Sequence, residues 1–140
     1  MCWAMPLDGF DHVAIPTKSP EAMMAFYGQL GFEVPDFEAW RASGVPFFSI
    51  HFGKQKINLH CPALWQDTAF ELRGPSALPG CGDFCFVWSG SQEDLLGTLQ
   101  GAGAQVVAGP VELEGARGRG VSVYTRDPDA NLLEFIIYNP

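Results

Sequence analysis

The sequence has few positive charges. It contains eight Lys and Arg against sixteen Asp and Glu, which gives a formal net charge of −8 at pH 7. Basic residues form no long cluster anywhere along the chain. Because nucleic acids and anionic membranes bind to positively charged surfaces, we expect neither of them as a partner.

Long apolar runs are also absent. A membrane-spanning helix needs about 18 or more consecutive apolar residues, and no such stretch occurs. The segment before Leu7 lacks the basic start and the apolar core of a secretory signal peptide. We therefore expect a protein of the cytoplasm.

Cysteine is present at four positions, without a CxxC pair. These are Cys2, Cys61, Cys81 and Cys85. A reduced setting is the expectation for such spacing. Cys81 and Cys85 could form a redox pair, but we interpret them as buried structural thiols, because free cysteine is often buried.

The chain instead contains one order of predicted elements that occurs twice. A strand, a helix and three strands are predicted over residues 10–17, 19–31, 32–40, 46–52 and 56–61. The same order follows over residues 83–88, 91–103, 105–113, 120–126 and 131–138. We predict one domain, with module one at about 7–61, a linker or loop over a pocket at 62–80, and module two at about 81–140.

Three motifs in this pattern resemble those of the vicinal-oxygen-chelate superfamily, which includes glyoxalase I, extradiol dioxygenases and the fosfomycin- and bleomycin-resistance proteins. They are the opening strand with its histidine at residues 7–15, the FYxxxLGF-like helix end at 26–32, and the DPDGNxxEF-like hairpin at 126–135. Residues 56–60 and 81–86 look most like a glyoxalase-domain branch that includes bacterial virulence-associated proteins.

The resemblance implies an α+β fold. Two tandem βαβββ modules would form a cupped, half-open β-barrel with the helices outside. It also implies a homodimer, in which the cleft can use both subunits, and a small-molecule substrate.

Strand alternation identifies candidate site residues without reference to the family. Side chains alternate between the two faces of a strand. On four predicted strands one face is apolar, and the other carries a polar side chain that could bind a ligand. These side chains are His12, Asn58 and His60, Asp83 and Cys85, and Glu134.

Two histidines and two carboxylates in this set suit a divalent ion such as Zn, Ni, Fe, Mn or Co. We predict His12, His60, Asp83 and Glu134 as metal ligands, with Glu134 also catalytic. The resemblance places His12 and Glu134 at family ligand positions, whereas the other two family positions hold Asn58, a poor ligand, and Asp83. Whether Asn58 or His60 serves on its strand stays open, and Asp83 could instead cap a turn.

Aromatic and basic residues near these strands are candidate substrate contacts. They are Tyr124, Arg126, Tyr138 and Phe48, with Trp40 as a further candidate. Residues 115–120 are glycine-rich and basic, and we predict a plain hairpin loop there.

Two functions fit the sequence. The first is a glyoxalase-like metalloenzyme, a lyase, isomerase or dioxygenase, that binds two neighbouring substrate oxygens through the metal. The second is a metal-free protein that sequesters a small molecule, as in the bleomycin-resistance branch. Asn58 and Asp83 favour the second, and His12 and Glu134 favour the first.

Overall fold

The computed structural model describes residues 5–139. The strands within this range are β1 (His12–Pro16), β2 (Phe47–Phe52), β3 (Gln55–His60), β4 (Asp83–Val87), β5 (Ala108–Gly115), β6 (Gly118–Arg126) and β7 (Leu132–Ile137). The helices are α1 (Pro20–Gln29), α2 (Phe37–Ser43), α3 (Pro62–Trp65) and α4 (Gln92–Gly101). No helix in this range is long and apolar enough to cross a membrane.

The strands form two sheets with the same internal order. The first has the order β1-β3-β2 and the second has the order β4-β7-β6-β5. In each sheet the first strand of the module pairs in parallel with the last, which pairs antiparallel with the strand before it. This duplication confirms the predicted α+β fold of two modules, and the two sheets do not close into a barrel.

The predicted strand over residues 32–40 is wrong. Its place is taken by one isolated bridge, between Glu33 and His51, and then by α2. Asp36 caps this helix by accepting a hydrogen bond from the Ala39 N–H at 2.9 Å, and Gly44 ends it at a φ of +71°. The aromatic residues Phe37 and Trp40 suggested a strand, but the cap residues at both ends favour a helix.

The two modules share one hydrophobic core. Apolar faces of both sheets and residues of α1 and α4 belong to a single buried cluster. An aromatic chain of edge-on and tilted contacts joins Phe32 and Phe52 of module one to Phe86 and Phe135 of module two, with ring centroids 5.1 to 5.5 Å apart. Edge-to-face contacts at this spacing are favourable, so the modules pack as one unit.

The cysteines do not fit the prediction of buried structural thiols. Cys81 and Cys85 are exposed and unbonded, and Cys61 is the buried one. The reason is strand parity, since Cys85 lies on the solvent-accessible face of β4 while Phe84 and Phe86 point into the core. Cys2 lies outside the described residues.

A buried carboxylate ties the hairpin between β6 and β7 to helix α1. Asp127 accepts hydrogen bonds from the Tyr27 hydroxyl at 2.7 Å and from the Asn131 side-chain amide at 2.8 Å. Its other oxygen accepts from the backbone N–H groups of Asp129 and Asn131. Asp129 in turn accepts from the Thr17 hydroxyl at 2.5 Å, so the start of module one holds the hairpin of module two.

Replacing Tyr27 by Phe should therefore destabilise the fold. The change removes one donor from a buried carboxylate, and we expect a loss of about 1–3 kcal/mol of unfolding free energy in urea. Tyr138→Phe is the matched control, because the Tyr138 hydroxyl accepts only a 3.2 Å bond from the exposed Arg117 N–H. Equal stability of the two variants would contradict this account of the hairpin.

Candidate functional site

The register of the parallel pairs shows which residues the duplication makes equivalent. In sheet one Ala14 is the Cα partner of Asn58, and in sheet two Cys85 is the partner of Glu134. Two residues earlier on their strands stand His12 and Asp83. Each sheet therefore presents a matched pair on its polar face, His12 with Asn58 and Asp83 with Glu134.

His12 is held by its neighbour in sequence. Its Nδ1 lies 2.6 Å from Oδ2 of Asp11, and 44% of the His12 side chain is exposed. This hydrogen bond, and the charge of His12, lower the pKa of Asp11. In the neutral form of His12 whose Nδ1–H donates to Asp11, Nε2 carries the lone pair, which is the arrangement that carboxylates impose on metal-binding histidines.

The other polar residues of sheet one lie along β3. Asn58 accepts a hydrogen bond from the Ser49 hydroxyl at 2.7 Å, which confirms that both side chains share the polar face. His60 is two residues further on, about 6.6 Å along the strand. It is four residues from Lys56, the Cα partner of His12. At about 13 Å along the strand, it is too far to bind one ion together with His12.

Glu134 lies at the centre of the polar face of sheet two. Its Oε2 accepts a hydrogen bond from the buried Ser122 hydroxyl at 2.6 Å. Its Cα partners on the neighbouring strands are Tyr124 and Cys85. Three side chains that carry a hydroxyl or thiol therefore surround one half-buried carboxylate.

The surroundings of Glu134 keep its neighbours protonated. Partial burial, followed by the negative charge of Glu134, raises the pKa of the Cys85 thiol to about 12. Partial burial and the interaction with Glu134 also raise the pKa of Tyr124 to about 12. Both groups are therefore neutral at pH 7 and can donate hydrogen bonds.

The segment 62–80 folds against the far end of the polar face of sheet one. The His60 ring meets the Phe70 ring edge-on, with centroids 5.4 Å apart. Burial, and then the positive charge of Arg73, lower the pKa of His60. This arrangement separates His60 from the remaining predicted ligands and gives it a different environment.

The predicted substrate contacts divide between core, turn and polar face. Phe48 is 4% exposed and packs against Trp40, and both residues line a separate cleft of about 380 Å³ that contains neither His12 nor Glu134. Tyr138 packs under Arg117 of the hairpin, and Arg126 donates to the Ala130 carbonyl at 3.0 Å. Of the set, Tyr124 is the residue beside Glu134.

A single chain does not assemble the predicted metal ligands. Residues 5–139 contain no group of three or more His, Cys, Asp or Glu that could hold an ion. His12 and Asp83 do line one cleft of about 420 Å³ between β1 and β4, but Glu134 and His60 do not. The candidate donors, one imidazole nitrogen of His12 and the carboxylates of Asp83 and Glu134, would fit a first-row divalent ion once they are brought together.

Sequence reasoning missed several supporting residues. Asp11 orients His12, Ser49 binds Asn58, and Ser122 binds Glu134. Alternation along β6 could have found Ser122, because Ser122 and Tyr124 alternate there with Val121 and Val123. Asp11 carries no such signal, since it precedes the strand.

Two tandem modules, with sheets of three and four strands in the same internal order, define the architectural class of this protein. The chain belongs to the Glyoxalase/Bleomycin resistance protein/Dioxygenase superfamily, whose model matches residues 9–135. It is similar to virulence protein STM3117 of Salmonella typhimurium, with 36% identity over 135 residues that cover 96% of this chain and 87% of that protein. It is also 39% identical over 128 residues to glyoxalase domain-containing protein RDO1 of Mycosarcoma maydis, covering 91% and 67% of the two chains.

Solved structures agree with this assignment. The crystal structure of STM3117 superposes with a TM-score of 0.79 over 96% of this chain and 99% of that one. A lactoylglutathione lyase from Agrobacterium tumefaciens gives 0.65 at 21% identity, covering 94% and 95% of the two chains. TnmS3, an antibiotic binding protein from Streptomyces sp. CB03234, gives 0.67 at 17% identity, covering 97% and 100%. The last two share the fold alone.

The environment of Cys85 predicts slow alkylation. Because only the thiolate reacts, a pKa of about 12 keeps Cys85 sluggish towards iodoacetamide at pH 8. Glu134→Gln removes the adjacent charge, and each unit by which the Cys85 pKa then falls raises the thiolate fraction about tenfold. Peptide-resolved mass spectrometry measures the rate. Glu112→Gln, an exposed carboxylate paired with Arg119, should leave it unchanged.

Proposed function

We propose that the protein is a metal-dependent enzyme that acts on a small substrate with two neighbouring oxygens, in a cleft shared by two copies of the chain. The observation that carries the proposal is the geometry of two side chains: His12, whose Nδ1 lies 2.6 Å from Asp11, and Glu134, which accepts from Ser122 and has Tyr124 and Cys85 beside it. A half-buried glutamate carboxylate is costly to maintain for packing alone.

The need for a second copy follows from the open edges of both sheets. Within the described residues, β1 and β4 each have one strand neighbour. Val13 on β1 is 37% exposed and Val87 on β4 is 47% exposed. Proteins cover such edges, because an unpaired apolar strand invites association. Within one chain Asp83 shares the cleft of His12 but Glu134 does not. A partner that placed its β4 and β7 opposite β1 and β3 would cover both edges and bring its own Asp83 and Glu134 to His12.

The metal would be held by His12 of one copy and by Asp83 and Glu134 of the other. A bound divalent ion supplies Lewis acidity to the substrate oxygens. Asp11 fixes the His12 ring so that Nε2 faces the ligand. The Tyr124 hydroxyl, neutral at pH 7, donates to a substrate oxygen, and Glu134 accepts a proton from the substrate. These roles suit a lyase or isomerase with a proton-transfer step.

Metal content tests the ligands. Wild-type protein purified without a His-tag should contain about one equivalent of a transition metal per chain, and His12→Ala and Glu134→Gln should lose it. Asp11→Asn should weaken affinity by about 10–100-fold, because it removes the ring's orienting partner. His51→Ala is the control, since His51 lies on β2 outside the proposed ligand set. Wild-type metal content in both His12→Ala and Glu134→Gln would contradict the proposal.

Mixed dimers test whether the cleft is shared. In a shared site, His12 comes from one chain and Glu134 from the other, so each single variant removes a ligand from a different side of the site. A heterodimer of His12→Ala with Glu134→Gln therefore contains one intact site, and elemental analysis should find about half the wild-type metal. A site built within one chain would leave every copy damaged, and the heterodimer would then contain none.

The competing function is metal-free sequestration of a small molecule. Asn58 favours it, because its amide oxygen is engaged by Ser49 rather than free. Under this function no divalent ion would raise the melting temperature over that in EDTA, since a ligand that binds only the native state must stabilise it.

A further inference from the structure

Arg73 is a half-buried arginine without a carboxylate partner in the described part of the chain. The ion pairs among residues 5–139 are His12 with Asp11 and Arg119 with Glu112. Of the eight basic residues, Arg73 and Lys56 are the two that are half-buried without a carboxylate partner in this range. Partly buried charges are normally paired, so the free guanidinium needs a separate explanation.

The guanidinium is fixed in place by uncharged groups. Its carbon lies 6.0 Å from the centroid of the Trp65 ring, and one nitrogen donates to the Ala77 carbonyl. Trp65 is itself anchored, because its Nε1–H donates to the Thr17 carbonyl at 3.0 Å. Arginine has five N–H donors in a rigid fork, so most of them stay available in a preset direction.

Arg73 stands beside the polar face of sheet one. His60 projects from that face, and its Cα partner on β2 is Phe47, which is 41% exposed. Phe70 closes the other side of the His60 ring. The His60 imidazole therefore lies next to the side chains of Phe47 and Phe70, with the Arg73 guanidinium near it. Both charged groups lie at the end of this polar face away from His12.

We propose that Arg73, with His60 beside it, binds the anionic group, a carboxylate or a phosphate, of the small molecule that the cleft accepts. This proposal rests on the proposed function, because it places both groups on the polar face that carries the proposed site, at the end away from His12. It also assigns His60 to substrate recognition instead of metal binding. His60 is about 13 Å along β3 from the row of His12, so the substrate would be an extended oxygenated acid, with its charged end distant from the two oxygens that react.

Titration with inorganic phosphate and with acetate tests the site on the full chain. The readouts are the NMR resonances of the Trp65 indole N–H and the Arg73 Nε–H, at constant ionic strength set with chloride. Wild type should show a saturable shift of both resonances with at least one of the two anions, and the tighter anion identifies the group. Arg73→Gln should weaken binding roughly 10–100-fold, because it removes charge-assisted hydrogen bonds. Arg73→Lys should be intermediate, since it keeps the charge and loses the fork.

Arg119→Gln is the matched control. It removes an equal charge from an exposed ion pair on the hairpin, so binding should match wild type. No saturable shift with either anion, or equal affinity in wild type and Arg73→Gln, would overturn the proposal. If Arg73→Gln does not fold, the anion affinity of Arg73→Lys tests the proposal in its place, and an affinity equal to that of wild type would contradict it.

The titration is independent of the metal. It is performed on protein treated with EDTA, so it reads the anion site even if no metal binds. Arg73→Gln should also keep the wild-type metal content, whereas His12→Ala should lose metal and keep phosphate or acetate binding. Failure of the anion site and failure of the metalloenzyme proposal therefore give different results.

Discussion

The buried carboxylate of Asp127 is the interaction on which the arrangement of the two modules depends. Both of its oxygens are engaged by donors, from Tyr27, Asn131 and Asp129. A buried charge is tolerated only when it is hydrogen-bonded in this way, so the hairpin that carries it has one stable position. That position sets the start of β7, because the Leu132 N–H donates to the Gly82 carbonyl just before β4.

The position of this hairpin fixes the register of β7 against β4, and the register in turn fixes which residues share the polar face. Once β4 and β7 are aligned, Cys85 must stand opposite Glu134, and Asp83 must lie two residues away. A shift of one residue would turn Glu134 into the core and Phe135 out of it, at a cost of several apolar contacts. The same core that stabilises the fold therefore also fixes the polar face. This is why residues so far apart in sequence occupy matched places in the two sheets.

Alternation and motif spacing predicted the parts of the molecule that follow from period and parity. These include the order of elements in the two modules, apart from the strand over 32–40, and the polar faces of β3, β4 and β7. The features that failed were decided either by local cap residues or by tertiary context. Asp36 and Gly44 cap a helix that begins within the segment 32–40, for which a strand was predicted. Phe48, predicted as a substrate contact, is buried against Trp40. The place of His60 could not be predicted either, because it depends on where residues 62–80 fold back, and that segment has no periodic pattern to fix its path.

Charge distribution gives the two sheets different chemistry. The polar face of sheet two carries Asp83 and Glu134, and the nearest arginine along β6, Arg126, donates to a turn carbonyl instead. Two carboxylates on one partly buried face repel each other unless a cation joins them. Sheet one has the opposite character, with an imidazole at one end and a free guanidinium at the other. Under the proposed function, an oxygenated acid that also chelates a divalent ion would satisfy both faces at once, since it would bring an anion to Arg73 and share a cation with Asp83 and Glu134.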